Sequence, residues 1–252
     1  MDLPTFFQEN PVVALGFSGG VDSSYLLYAG MHSGAKVKAY YVKAAFQPQF
    51  ELEDALRMAS ILGADLTVIE TDILSIPHVA ENPSNRCYYC KTAIFSLIKE
   101  TAAKDGYSIL LDGTNASDDS GDRPGMRALE ELSIRSPLKE CGITKSDVRR
   151  LSKEAGLFTW DKPAYACLAT RVPAGTAITA EMLSRIERAE NALFAMGFTD
   201  FRVRLTDGAA KLQFPESQMP DVLKKREDII EQLHADFDSI LLDLACRQTK
   251  EN

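Results

Sequence analysis

One stretch constrains this chain more than any other: VVALGF (12–17) runs directly into SGG and then VDSSYLLYAG. The apolar run reads as a buried strand. The residues after it predict a helix over 22–33, stopped by Gly34. Only a few residues separate the two, so the turn is tight. Glycine in such a turn lets the backbone come close to an anion. The first N–H groups of the helix lack partners and carry a partial positive charge.

The alternation continues along the chain. VKAYYVKA (37–44) is β-branched and aromatic and predicts a second strand. Residues 51–62 carry Leu52, Ala55, Leu56 and Ala59 at helical spacing. LTVIET predicts a third strand, 90–104 a helix and 108–114 a fourth strand. Thr144 with Asp147 reads as a capping box opening another helix. Short strands alternating with helices predict an α/β fold, a parallel sheet with helices on both faces. Ligands bind such sheets outside the carboxyl ends of the strands, near a switch point. Residues 18–20, 44–45 and 112–114 fall at those ends.

The pattern changes after about residue 176. Thr179 can cap a helix beginning AEMLSRIERAENALFAMG, and DFRVRLTDGAAKLQF reads as a hairpin turning at Asp207-Gly208. A helix over 221–234 and a strand over 239–244 complete a small α+β unit. The expected domains are therefore 1–176 and 177–252.

Apolar residues make up 45% and charged residues 25%, which supports a packed core and argues against disorder. MDLPTFFQENP lacks the basic start and apolar run of a signal peptide, and no segment approaches the roughly 18 apolar residues of a membrane span. A cytoplasmic protein without membrane contact is expected. The net charge of −8 argues against a broad nucleic-acid footprint. A small anionic substrate needs only a few well-placed cations.

Ser18, Gly19, Gly20 and Ser23, with Gly113 at the end of the fourth strand, are the expected phosphate cradle. Asp22 suits that place only if a cation stands between it and the phosphates, which assigns it to Mg²⁺. Neither the Walker pattern nor G-x-G-x-x-G occurs here. Arg202 and Arg204 lie two apart on a predicted strand. They share a face and can grip a phosphate together. The acidic loop DDSGDRPG carries Asp118, Asp119 and Asp122 ahead of Arg123.

Of five cysteines, Cys87 and Cys90 form a C-x-x-C pair in RCYYCK, and Cys167 lies in CLATR ahead of Arg171. Cys141 and Cys246 have no comparable surroundings. Three thiolates fall short of the four ligands of a structural zinc site, although His78 is a candidate fourth. They suit a [4Fe–4S] cluster with one iron left open. Alternatively Cys167 donates its own sulfur, activated by Arg171 or Lys91. Three unrelated thiols are the third possibility.

SGG-x-DS after the first strand resembles the PP-loop of the N-type ATP pyrophosphatases. These include NAD, GMP and asparagine synthetases and tRNA-thiolating enzymes, and they cleave ATP to AMP and pyrophosphate. FSGGVDSS, CYYCKTAIF, LDGTNASDDSGDRPGMRAL, CLATRVPAGT and FRVR together are similar, over nearly the whole chain, to the LarE family of sulfur-transferring PP-loop enzymes. The resemblance implies adenylation of a carboxylate of pyridinium-3,5-biscarboxylic acid mononucleotide, then replacement of AMP by sulfur, in making the nickel-pincer cofactor. It makes Cys167 the sulfur-delivering residue, and places a chain that also has Cys87 and Cys90 with the cluster-bearing members. It assigns Arg202 and Arg204 to the substrate phosphate and implies a homo-oligomer. Gln213 stands where some relatives have a glutamate thought to help bind a metal, while Asp221 is retained. That departure puts a metal site in the second domain in question. A tRNA thiolase, an amide-forming synthetase and a non-catalytic ATP-binding module are the rival readings. The first predicts a broad basic face, the second leaves the three cysteines unexplained, and the third predicts no pyrophosphate release.

Overall fold

In the first strand, Val13 and Leu15 join one buried cluster and Ala14 another, as the two-residue period of a strand requires. The second strand does the same, with Ala39 and Tyr41 on one side and Tyr40 and Val42 on the other. Strands apolar on both faces need cover on both.

The computed structural model describes residues 1–118 and 124–247. Asp119, Asp122 and Arg123 of the acidic loop lie outside them. The elements run α1 (Leu3–Glu9), β1 (Val12–Gly16), α2 (Val21–His32), β2 (Lys36–Lys43), α3 (Gln49–Leu62), β3 (Asp65–Glu70), α4 (Pro77–Ala80), α5 (Arg86–Lys104) and β4 (Leu110–Leu111). They continue with α6 (Pro124–Glu131), α7 (Pro137–Glu140), α8 (Lys145–Glu154), α9 (Ala180–Ala195), β5 (Arg202–Thr206), β6 (Ala209–Gln213), α10 (Met219–Lys224), α11 (Arg226–Leu233) and β7 (Ile240–Leu242).

Two compact units result, one from Met1–Ile73 and Asn85–Lys162, the other from Leu74–Ser84 and Pro163–Asn252. This division differs from a cut at 176. Residues 163–176 go with the second unit, as does the segment 74–84. Asn82 Nδ2 donates to Pro173 O at 2.8 Å, Gly175 N to Asn82 O at 2.8 Å and Ile178 N to Ala80 O at 2.7 Å.

In the larger unit the strand order is β3-β2-β1-β4, all parallel. The α1, α2, α3 and α8 side chains Phe6, Leu26, Met58 and Val148 fill one cluster, and Ile98 of α5 and Leu129 of α6 fill the other. The expected α/β sheet is therefore present. The chain winds outward from β1 through β2 and β3, then returns to the other side of β1. The loops after β1 and β4 part at that reversal, which is where such sheets bind ligands.

In the smaller unit β5 and β6 form an antiparallel hairpin, and β7 pairs parallel with β6. Asp207 and Gly208 both have positive φ, 47° and 84°, as a two-residue hairpin turn of the primed type demands. Phe214 packs against the rings of Phe198 and Phe201, and Phe194 of α9 against Phe201.

Four local expectations need correction. α5 starts at Arg86, not near Cys90, because the Arg86 side chain is buried and its guanidinium lies over Phe46. Both cysteines of the pair are thus helical. β4 has two residues only, and its other edge makes a single parallel bridge, Leu111 to Arg135. The helix expected over 221–234 is two, α10 and α11, broken at Lys225. Leu56 points to solvent, and Met58 takes the core position. Among the described residues no helix is long and apolar enough to cross a membrane.

Candidate active site

The turn after β1 is shaped by glycine. Gly19 has φ +73°, and a Cβ there would stand 3.0 Å from the backbone nitrogen of Ala55 in α3. Left-handed backbone and close approach both exclude other residues. Gly20 is the N-cap of α2 and brings no capping side chain, so the first-turn N–H groups stay available to an anion. Ser18 and Ser23 fill the turn meanwhile. Their hydroxyls are 3.1 Å apart, Ser18 N donates to Ser23 Oγ at 3.3 Å and Gly20 N to Ser18 Oγ at 3.3 Å. These bonds lie at or beyond the long end of the normal range, and a phosphate oxygen can replace them readily. Gly113, following β4, closes the other side: a Cβ on it would come within 3.0 Å of Ser23 N.

Asp22 sits in the first turn of α2, where the helix dipole favours a carboxylate. The cation facing it is the Lys145 ammonium, which donates to Oδ2, while Asn115 Nδ2 donates to Oδ1 at 3.2 Å. Both partners are held in turn. Lys145 N donates to Ser117 Oγ at 3.0 Å, Ser117 N to Asn115 Oδ1 at 2.8 Å, and the Thr144–Asp147 capping box is formed as expected. Buried Asp112 anchors this loop, accepting from Thr114 and Ser136 hydroxyls. Asp118 accepts Asn115 N at 3.1 Å.

Cys87 and Cys90 lie three apart at the start of α5, on one helix face. Cys87 is exposed and Cys90 half-buried, and none of the five cysteines is in a disulfide. Lys91 runs its stem against Gly125 of α6, where a Cβ would meet Lys91 Cδ at 2.9 Å. His78 is an exposed partner of Glu81, at 3.4 Å.

In the smaller unit, Cys167 is the N-cap of a short 3₁₀ turn, Leu168–Arg171. Its carbonyl accepts from Thr170 N (3.0 Å), Thr170 Oγ1 (2.9 Å) and Arg171 Nη1 (3.4 Å). Arg171 is engaged by a buried partner. Its buried guanidinium donates through Nε and Nη2 to Glu190 at 2.9 and 3.1 Å, and through Nη1 to Ala166 O at 2.7 Å. It fixes the loop that carries Cys167. Burial pulls the pKa of Arg171 down, but the hydrogen bonds and charge of the Glu190 carboxylate outweigh it and hold the pKa above its ordinary value.

Arg202 and Arg204 do share a face of β5. Arg202 donates to Phe201 O at 2.6 Å and Ala164 O at 2.7 Å, and Arg204 to Thr170 O at 2.9 Å and Gln213 Oε1 at 2.6 Å. Both therefore brace residues flanking Cys167. Burial, followed by repulsion from Arg171 and Arg247, pushes Arg202 down to about 10 and lowers Arg204 in the same way. Gln213 donates its other end to Asp243 at 2.8 Å, and Asp221 lies in the first turn of α10.

Asn115, Lys145 and Glu190 were not singled out by sequence. Signals existed for two of them. A lysine in the first turn of a capped helix opposes the helix dipole, and Glu190 interrupts the apolar stripe Leu183-Ile186-Leu193. Among the described residues, no group of three or more His, Cys, Asp or Glu is placed to hold a metal ion.

No family model matches the chain. It is 37% identical to an uncharacterized protein of Synechocystis over 86% of its own length and 82% of that protein's. It is 32% identical to the pyridinium-3,5-bisthiocarboxylic acid mononucleotide synthase of Lactiplantibacillus plantarum, over 92% of its length and 85% of the synthase. A tRNA-specific 2-thiouridylase of Thermotoga maritima is 22% identical over 60% of the chain and 54% of that enzyme. With the synthase matched along most of both sequences, and the strand–SGG–helix crevice in place, the chain belongs to the LarE family of sulfur-transferring PP-loop enzymes.

Proposed function

We propose that the chain adenylates a carboxylate of pyridinium-3,5-biscarboxylic acid mononucleotide with ATP and exchanges the AMP for sulfur, leaving a thiocarboxylate. The observation that carries this reading is the open glycine crevice in a chain related over most of its length to a synthase of the bisthiocarboxylic product.

A carboxylate is a poor acyl donor because its leaving group would be oxide. Adenylation removes that obstacle. The carboxylate oxygen attacks the α-phosphorus, the bond to the bridging oxygen breaks, and the electron pair leaves with pyrophosphate. Ser18, Gly19, Gly20, Ser23 and the α2 N–H groups receive that charge, with Gly113 keeping their flank clear. Sulfur then attacks the acyl carbon and AMP departs with the C–O electron pair. Arg202 and Arg204 hold the substrate phosphate. Burial and the charges of Arg171 and Arg247 outweigh the carboxylates nearby, Asp200 and Glu190 for Arg202 and Glu190 and Asp243 for Arg204, and a phosphate would add negative charge there.

Cys87, Cys90 and Cys167 are assigned to sulfur handling, with Lys91 beside the pair and Arg171 positioning Cys167. Asp22 has the hard oxygen donors that Mg²⁺ prefers. Cys87 and Cys90 on α5 are assigned as two ligands of a [4Fe–4S] cluster and Cys167 as the third. When bound, an open iron would supply a place for exogenous sulfide.

Pyrophosphate release that depends on the mononucleotide acceptor, with a thiocarboxylate in the product mass, is the expected result. Release without any acceptor dependence would remove the assignment. Iron and acid-labile sulfide after anaerobic purification test the cluster, which Cys87→Ala should abolish. Intact mass after one turnover tests the alternative source: loss of H₂S from Cys167 means that its own sulfur was given up. Tight, salt-sensitive tRNA binding would transfer the assignment to the thiolase reading.

A further inference from the structure

We propose that Arg247, on the tail that follows β7, is a ligand of the substrate's phosphate beside Arg202 and Arg204. It adds a residue to the assignment of those two arginines and rests on that assignment.

The sheet lays the tail down. Asp243 N donates to Leu212 O at 2.9 Å and Arg247 N to Phe214 O at 2.8 Å, so the chain past β7 stays beside β6 and its end. Ala245 N donates to Asp243 Oδ1 at 3.2 Å and shapes the turn between them. Gln213 of β6 stands opposite Arg202 of β5. Arg247, bonded to the residue after Gln213, is thereby brought to the end of the hairpin where β5 starts.

Asp200, just ahead of β5, receives it. Arg247 Nε donates to Asp200 Oδ1 at 3.0 Å, and Arg202 Nη1 lies 3.8 Å from the same oxygen. Two guanidiniums therefore share one carboxylate. The Arg247 side chain keeps 25% of its exposure, against 6% for Arg202. Its Nε is taken, but its two terminal nitrogens have no hydrogen-bond partner among the described residues. Arg202 differs, because Phe201 O and Ala164 O engage both of its ends. A fork held at its base and open at its tip is what bidentate contact with a phosphate needs.

Charge points the same way. Among the described residues of this network, Arg171, Arg202, Arg204, Arg247 and Lys211 face Glu190, Asp200 and Asp243. Five cations against three carboxylates leave two positive charges. A phosphate monoester near neutral pH carries about −1.5 to −2.

The competing account is structural: Arg247 only pins the tail to Asp200. Ligands with and without the phosphate separate the two roles. Affinity for the mononucleotide is measured by calorimetry, and for the nucleoside that lacks the phosphate by ligand-observed NMR, in the wild type, Arg247→Met and Arg247→Lys. Arg247→Met should weaken the mononucleotide about tenfold to a hundredfold, the size of one charge-assisted contact, and leave the nucleoside nearly unchanged. Arg247→Lys should fall between, as a point charge without the fork. Equal losses for the two ligands, or no loss for either, would overturn the proposal and leave Arg202 and Arg204 in place. A wild type that binds the two ligands equally would remove the assignment of all three arginines, and one that binds neither would remove the proposed substrate as well. Thermal melts show that each variant is folded.

Discussion

The glycine loop of the larger unit and the β5 face of the smaller one both offer themselves to phosphate, by opposite means. The loop has no arginine. It relies on backbone N–H groups, two serine hydroxyls at 3.1 Å and one lysine already paired with Asp22. The β5 face has Arg202 and Arg204, with Arg171 and Arg247 near enough to repel them. Neutral donors bind an anion that must later leave, and they need no counter-charge when empty. Buried arginines bind more strongly, but the empty state must be stabilised by the protein itself. Here carbonyls do so: Phe201, Ala164 and Thr170 accept from the two guanidiniums. The contrast fits the proposed reaction, in which pyrophosphate leaves the glycine loop while Arg202 and Arg204 keep the substrate phosphate.

The largest expected effect concerns how the arginine cluster is held. Arg171→Met strands Glu190, which is 1% exposed, and should cost about 3–5 kcal/mol in urea unfolding. Adding Glu190→Gln should recover more than half, since its oxygen still accepts from Val203 N and its amide NH2 can donate to the Tyr165 hydroxyl oxygen. A loss of under about 1 kcal/mol would break the comparison, because the cluster would then need no internal carboxylate.

Next comes the loop. Gly19→Ala forces a side chain into the left-handed region and against Ala55. We expect ATP affinity to fall about tenfold, equivalent to about 1.4 kcal/mol, with the mononucleotide unaffected. Equal losses for both ligands would mean that the two phosphate sites are not independent. Smaller still is Arg204→Lys, which loses the guanidinium fork between Thr170 and Gln213. It should raise KM for the mononucleotide about fivefold and leave kcat for pyrophosphate release nearly unchanged. A fall in kcat alone would move Arg204 from binding to chemistry.

The same contrast explains how much was legible in the sequence. The loop was readable because its constraints are local: Gly19 and Gly20 sit between a strand and a helix that adjoin in the chain. The capping box at Thr144 and the turn at Asp207-Gly208 were readable for the same reason. Partners distant in sequence were not. Lys145 reaches Asp22 across 123 positions and Asn115 reaches it across 93, and no periodicity encodes such pairs. Arg171 looked like a spare cation near Cys167 because its partner Glu190 lies in another element. The start of α5 was misplaced because Arg86, a charged residue, does the anchoring there.

The smallest effect probes the support beneath Arg204. Gln213 accepts from Arg204 and donates to Asp243, and Lys211 Nζ reaches the same Asp243 carboxylate at 2.8 Å. The bonds from Lys211 and Gln213 hold the Asp243 carboxyl at about 2. A carboxyl depressed in the folded state stabilises it above the unfolded value, about 3.9. That stabilisation fades as pH falls toward the folded value. The difference in melting temperature between wild type and Asp243→Asn should therefore be constant above about pH 5 and shrink between about pH 4 and pH 2. A difference that stays flat through that window would show that Asp243 does not bear on Lys211 and Gln213 in solution. Arg204 would then rest on the Thr170 carbonyl and Gln213 alone, and the arginine face would be less rigidly prepared than the glycine loop.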